Sequence, residues 1–283
     1  MSAEVVELSS PTVGSNPSSA HFDSKPLSGV PVLEARTDDV PSRFAKLVGE
    51  DNPLRVFLVA VLTGYVLLLG TMVLLGFALI ELVLPLGGLA DADQDAIEWL
   101  AERRNPFRED LSWVGSTLAG GVVIPAVIGI CLLVFLLMRH WRLAAFVLLA
   151  VSLESGVYRV ATEVVSRDRP DVKRLENLPV DHSYPSGHTA ASIALYGGLL
   201  LLLASKIRNR AMTIAVLVIG IAIPVFVAWA RLYRGMHHLT DVAAGVVLGL
   251  GALAVLVFAS RAAGAAAERR NSRPNEPTTE VST

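Results

Sequence analysis

The sequence predicts an all-α integral membrane protein, a six-transmembrane-helix bundle, and three observations carry that expectation. Hydrophobic residues make up 53% of the chain and the mean hydropathy is +0.54, while charge gathers in the tails and loops, a membrane composition rather than a soluble one. Six apolar runs follow one another, close to the roughly 20 residues that a helix needs to cross a bilayer. Lysine and arginine recur on every second connection between them, the bias that sets orientation in membranes. The net charge of −2 calls for no nucleic-acid partner. The lone Cys131, inside an apolar run, can form no internal disulfide.

Taken in order, residues 1–52 are rich in serine, proline and acidic side chains without a sustained apolar period, and are expected to be a disordered cytoplasmic tail. No basic start with a short apolar run behind it occurs there, so the first span is expected to do the targeting. The bundle itself is expected over residues 53–262. Its spans are Val56–Leu84, about Leu118–Met138 with a tolerated kink at Pro125, Leu143–Val165, Thr189–Ala204, Ala211–Leu232 and about Leu239–Ala259. Gly197 and Gly198 in the fourth span and Gly245, Gly249 and Gly251 in the sixth mark close helix contacts. Glu154, near the middle of the third, must face the interior, because an unpaired carboxylate in lipid is costly. Residues 263–283 are expected to be a second disordered cytoplasmic tail.

Arg43, Lys46 and Arg55 precede the first span, Arg139 and Arg142 follow the second, Lys206, Arg208 and Arg210 follow the fourth, and Arg261, Arg269, Arg270 and Arg273 follow the sixth. All lie on one side of a six-span bundle, so both termini are expected in the cytoplasm and the membrane is expected to be the plasma membrane. On the opposite side, Pro85–Thr117 is acid-rich at Asp91, Asp93, Asp95 and Glu98. Its apolar residues Ile97, Leu100, Phe107, Leu111 and Val114 suggest interfacial amphipathic helices broken around Pro106.

The chemistry concentrates at Asp181–Ala191, D-H-S-Y-P-S-G-H-T-A-A, where a polar loop turns into an apolar helix. Pro185 sets a turn, Ser186 is placed to cap the helix, Gly187 admits a ligand close to the backbone, and His188 carries a titratable ring. A helix start of this kind offers unpaired N–H groups to an oxyanion. Two further segments join it. Upstream, T-E-V-V-S-R-D-R-P runs from Thr162 to Pro170, and downstream Arg231 precedes His237 by six residues and His237 precedes Asp241 by four. Arg169 ends the third span, His188 begins the fourth, Arg231 ends the fifth and His237 begins the sixth, so all four are expected on the extracytoplasmic face.

The three segments together resemble the type 2 phosphatidic acid phosphatase/haloperoxidase superfamily, in its membrane lipid phosphatase branch. That signature runs K-x6-R-P, then P-S-G-H, then S-R-x5-H-x3-D, and the resemblance covers roughly residues 143–251. Ala230 stands where the serine is usual, and Thr162 where the lysine is. The resemblance implies hydrolysis of a lipid phosphomonoester or diphosphate, of phosphatidate type or a polyprenyl diphosphate, through a phosphohistidine. It makes His237 the nucleophile, Asp241 its orienting partner and His188 the general acid, with Arg169, Ser186, Gly187 and Arg231 holding the phosphoryl oxygens. Arg159 and Arg167 are candidate replacements for the cation missing at Thr162. No metal or cofactor is called for, since no ligand-spaced cluster of histidines or carboxylates lies outside the triad.

The expected partners are a lipid phosphate substrate and the surrounding membrane lipids, and the sequence names no protein partner. A lipid phosphotransferase passing the group from phosphohistidine, and a non-catalytic lipid-phosphate binder or transporter, are the alternative readings. The vanadium haloperoxidases share the signature, but six spans argue against that chemistry.

Overall fold

A computed structural model describes residues 30–49, 52–177 and 182–272. The helices are α1 (Val40–Leu47), α2 (Pro53–Phe77), α3 (Leu89–Glu102), α4 (Pro106–Leu118), α5 (Val123–Leu137), α6 (Trp141–Val164), α7 (Gly187–Ser192), α8 (Gly198–Lys206), α9 (Arg210–Tyr233) and α10 (Leu239–Ser272). Their starts are written in the sequence. Asp39, Asn52, Asn105 and Asn209 each accept a backbone N–H of the first turn of α1, α2, α4 and α9, satisfying donors that a helix start leaves unpaired. Pro53 and Pro106 occupy the first helical position, where a missing N–H costs nothing.

Five helical stretches are long and apolar enough to cross a membrane: Pro53–Leu86, Trp141–Val164, Gly187–Lys206, Arg210–Tyr233 and Leu239–Ser272. The sixth span is a broken one, α4 and α5 meeting at a 46° bend. This corrects the expected second span. The break falls at Ala119–Val122, around the Gly120–Gly121 pair, rather than at Pro125, which sits harmlessly in the first turn of α5. Glycine pairs have weak helix propensity, whereas an early proline fits the helix start. The stretch expected to form interfacial helices holds α3 and α4, separated just before Pro106, with Ile97 fully buried and Trp99 and Phe107 exposed.

The core runs between α2, α6, α7 and α10 and includes Met72, Ala150, Val157, Ala190, Leu248, Ala252 and Leu256. Leu58, Leu62, Leu217, Val218 and Ile221 face outward, as lipid-facing positions do. Glu154 points inward at 1% exposure, its Oε2 accepting the Ser155 hydroxyl at 3.1 Å.

Both expected tails are shorter than the composition suggested. Residues 31–33 form a 3₁₀ turn, α1 packs on the far end of α10, and α10 itself continues to Ser272. Ala45 is buried with Ala262 and Ala266, the Phe44 and Phe258 rings meet edge-on at 5.3 Å, and Arg261 Nε donates to the Val32 carbonyl at 3.0 Å. Alanines, too weakly apolar to show as a period, carry this contact. Residues 1–29 and 273–283 of those tails lie outside the described residues, as does Asp181. At about 1.5 Å per residue, Asp241 and Ala262 stand about 30 Å apart along α10, so the N-terminal segment and the start of α10 occupy opposite ends of the bundle.

Small residues bring α10 against α7. A Cβ on Gly245 would lie 2.5 Å from the Ser186 carbonyl oxygen, and one on Gly249 2.7 Å from Ile193 Cβ. Gly251 and Gly198 are packed as closely against Leu68 and Leu253, whereas Gly197 has only ordinary contacts. Gly245→Ala gains up to about 1 kcal/mol of helix propensity, but a backbone oxygen cannot yield as a side chain does, and overpacking of this kind costs about 1–3 kcal/mol. The expected outcome is a lower thermal midpoint in detergent for Gly245→Ala; an unchanged or raised midpoint contradicts this packing.

Candidate active site

The C-terminal ends of α6 and α9 and the N-terminal ends of α7 and α10, with the loop that follows α6, converge around His237. A tight turn joins α9 to α10, with Gly235 at φ 69°, a value other residues rarely adopt. It places His237 just before α10 at 3% exposure. His237 Nδ1 lies 2.7 Å from the Ser183 carbonyl oxygen. A carbonyl only accepts, so Nδ1 carries the proton and Nε2 keeps its lone pair. Burial, and then the positive charges of Arg231 and Arg169, hold this imidazole well below 6.5. It is therefore neutral at pH 7, and His188 is close enough to act on it electrostatically as well.

The sequence expectation that Asp241 orients His237 needs correcting. Asp241 Oδ2 accepts the His238 backbone N–H at 2.8 Å and lies 3.3 Å from His238 Nδ1, while Oδ1 accepts Arg167 Nη1 at 2.5 Å. A side chain on the third residue of a helix folds back onto the residue that caps it, so Asp241 meets the cap His238 before it can reach one residue further. The orienting acceptor for His237 is the Ser183 backbone. No side-chain motif announces such a contact.

At the start of α7, Ser186 occupies the cap position, but its hydroxyl pairs with Thr189 Oγ1 at 3.0 Å rather than with a backbone N–H. Its own N–H donates to the Asp241 carbonyl at 3.0 Å, tying α7 to α10. A Cβ on Gly187 would lie 2.9 Å from the Tyr158 ring, so packing as well as ligand access requires glycine there. His188 is half-buried at the first turn.

Arg231 is fully buried, with Nη1 donating to Ser116 Oγ at 2.5 Å and to Glu176 Oε2 at 2.6 Å. Its Nε and Nη2 have no hydrogen-bond partner among the described residues, which leaves two buried donors for an oxyanion. Arg169, half-buried, donates Nη1 to the Met236 carbonyl. The two substitutes for the missing lysine fare differently from expectation. Arg159 is exposed on α6, about one turn before the buried Thr162. Arg167 is buried but already occupied, with Nη2 2.9 Å from Asp93 and Nη1 on Asp241. Residues three apart share a helix face, but Arg159 lies exposed and Arg167 is held by two carboxylates, so neither stands where the lysine would act.

Glu176, in the loop before α7, was not legible from sequence. Its carboxylate bridges Arg231 and Arg234 Nε, the latter at 2.5 Å, while Arg234 also donates to Ser112 Oγ and the Leu175 carbonyl. Arg234 is thus buried at 6% exposure. Burial raises the Glu176 carboxyl, but the Arg231 charge and hydrogen bond, with Ser116 and Arg234, outweigh it and hold the group at about 2.

Residues 139–264 match the model of the PAP2 superfamily. Lipid phosphate phosphatase delta of Arabidopsis thaliana is 27% identical over 122 residues, covering 39% of this chain and 29% of the relative. The chain therefore spans about three-tenths of the length of that curated relative. The crystal structure of a transmembrane PAP2 type phosphatidylglycerolphosphate phosphatase from Bacillus subtilis superposes with a TM-score of 0.58 at 22% identity. The match covers 72% of this chain and 94% of that one, a likeness of fold. The matched region holds every proposed site residue, whereas Asp93 and Ser116, which contact that site, lie N-terminal to it.

Two outcomes follow for this site. Glu176 has a folded value of about 2 against an ordinary 4.5, so its contribution to stability is complete above pH 4.5 and lost as pH falls through about 2. Glu176→Gln is expected to lower the thermal midpoint at pH 7 and to flatten its decline between pH 5 and 2.5; parallel melting curves for both proteins contradict the bridge. Arg159→Ala is expected to keep wild-type phosphate release, and a large loss would return Arg159 to the site.

Proposed function

We propose that this protein is a membrane lipid phosphatase that removes a phosphate from a phosphomonoester or diphosphate of a lipid, of phosphatidate type or a polyprenyl diphosphate, through a phosphohistidine on His237. One observation carries the reading: a buried, neutral His237 whose Nδ1–H is held by the Ser183 carbonyl, leaving Nε2 to attack. In this mechanism Nε2 displaces the leaving oxygen in line at phosphorus, and His188 protonates that oxygen as the bond breaks. Water, deprotonated by His188, then attacks the phosphohistidine and releases phosphate. The Nε and Nη2 of Arg231, with Arg169, Ser186 and the Gly187 N–H, carry the charge of the phosphoryl oxygens. Asp241 acts at one remove, fixing the start of α10 through His238.

The active site faces the extracytoplasmic side of the plasma membrane in this reading, with both termini cytoplasmic. The Lys and Arg distribution supports it, as does the packing of α1 at the end of α10 opposite His237.

Phosphate release by the purified protein in detergent with EDTA, on phosphatidate, phosphatidylglycerol phosphate and a polyprenyl diphosphate, tests the proposal. Release is expected to survive the chelator and to fall about a thousandfold or more in His237→Ala. Turnover that persists in His237→Ala, or that EDTA abolishes, sinks this mechanism.

A further inference from the structure

We infer that Asp93, on helix α3 and outside the matched region, is a positioning residue for the proposed nucleophile, acting through Arg167 on the Ser183 contact to His237 and on the Asp241 contact to its neighbour His238. The inference rests on the phosphohistidine reading above.

Asp93 is 2% exposed, and a carboxylate buried at this depth must be fully engaged. Its Oδ1 accepts the Thr240 backbone N–H at 3.2 Å, and its Oδ2 accepts Arg167 Nη2 at 2.9 Å and the Thr240 hydroxyl. Arg167 is the hub. Its two terminal nitrogens are divided between carboxylates on different helices, Nη2 to Asp93 and Nη1 to Asp241 Oδ1, with Thr240 Oγ1 also 2.6 Å from Nη1. A planar guanidinium shared in this way has its orientation fixed by both partners.

From the hub, one path leads to His237 and a second to its neighbour His238. The Arg167 backbone carbonyl accepts the Ser183 N–H at 2.8 Å, and the Ser183 carbonyl is the acceptor for His237 Nδ1. The second path runs through Asp241, which receives Arg167 on one oxygen and the His238 N–H on the other. Asp93 itself cannot serve the phosphoryl group, being an anion with both oxygens occupied. Its effect must come through geometry. With Asp93 neutralised, Arg167 keeps a single carboxylate, and the guanidinium is free to swing toward Asp241 while its backbone relaxes. The line of attack from Nε2 then shifts, whereas the Arg231 and Arg169 donors stay in place. Binding is preserved and the chemical step is slowed.

The test compares kcat and KM for phosphate release from phosphatidate in detergent micelles for wild type, Asp93→Asn, Asp241→Asn, the double variant and His237→Ala. Asp93→Asn is expected to lower kcat roughly ten- to hundredfold, the scale on which a misplacement of about 1 Å acts, with KM unchanged. In the Asp241→Asn background, the further loss from Asp93→Asn is expected to shrink markedly, because both act through Arg167. A wild-type kcat in Asp93→Asn, a loss that falls on KM, or losses that simply multiply in the double variant overturn the inference. Should Asp93→Asn fail to fold, Thr240→Val removes the hydroxyl bridging Asp93 and Arg167 while keeping both charges. The same loss confined to kcat is expected there, and an unaltered kcat overturns the relay. An inactive His237→Ala beside a fully active Asp93→Asn defeats this inference alone; turnover surviving in His237→Ala defeats the phosphohistidine reading with it.

Discussion

A charge buried at the end of an apolar bundle must bring its counter-charge with it, and that constraint organises the end of this protein that holds His237. Arg167, Arg231 and Arg234 are all buried there, and Asp93, Glu176 and Asp241 meet them in pairs. Stripping water from such ions costs several kcal/mol each, so each pair holds only where its geometry is close. The result is a lattice that joins α3, the loop after α6, α9 and α10. Within it, the Nε and Nη2 of Arg231 remain without a hydrogen-bond partner among the described residues. Donors left over in an otherwise satisfied network are what an oxyanion site requires.

The lattice depends in turn on how closely the helices below it approach. Gly245 and Gly249 let the backbone of α10 reach that of the 185–190 segment, close enough for the Ser186 N–H to bond the Asp241 carbonyl. A larger residue on α10 would push the two half-sites apart, one carrying His188 and the other His237. In a lipid surround, where apolar side chains gain little from leaving the solvent, such contacts between small residues supply much of the cohesion.

Much of the architecture was legible because the bilayer imposes a length and a composition on each crossing. The third, fourth, fifth and sixth spans begin within two residues of the expected positions. The second did not survive as one straight helix, since hydropathy averages over a bend and the break around Gly120–Gly121 is only four residues wide. The C-terminal end of α10 and the packing of α1 were also missed, because an alanine-rich contact looks like a neutral tail when its partner is more than two hundred residues away.

The site divides in the same way. The sequence by itself determined which residue types would gather at one end of the bundle: the P-S-G-H helix start, Arg169, Arg231, His237 and Asp241 each fall at a span terminus, and an odd or even count of crossings puts them on one face. Only the tertiary structure decided which of them touch. It gave His237 to the Ser183 carbonyl, Asp241 to His238 and Arg167, and Arg231 to Glu176 and Ser116. Spacing along a helix sets a direction for each side chain, but the turn between α9 and α10 and the loop after α6 follow no period. Their carbonyls and carboxylates find partners only once the helices have packed.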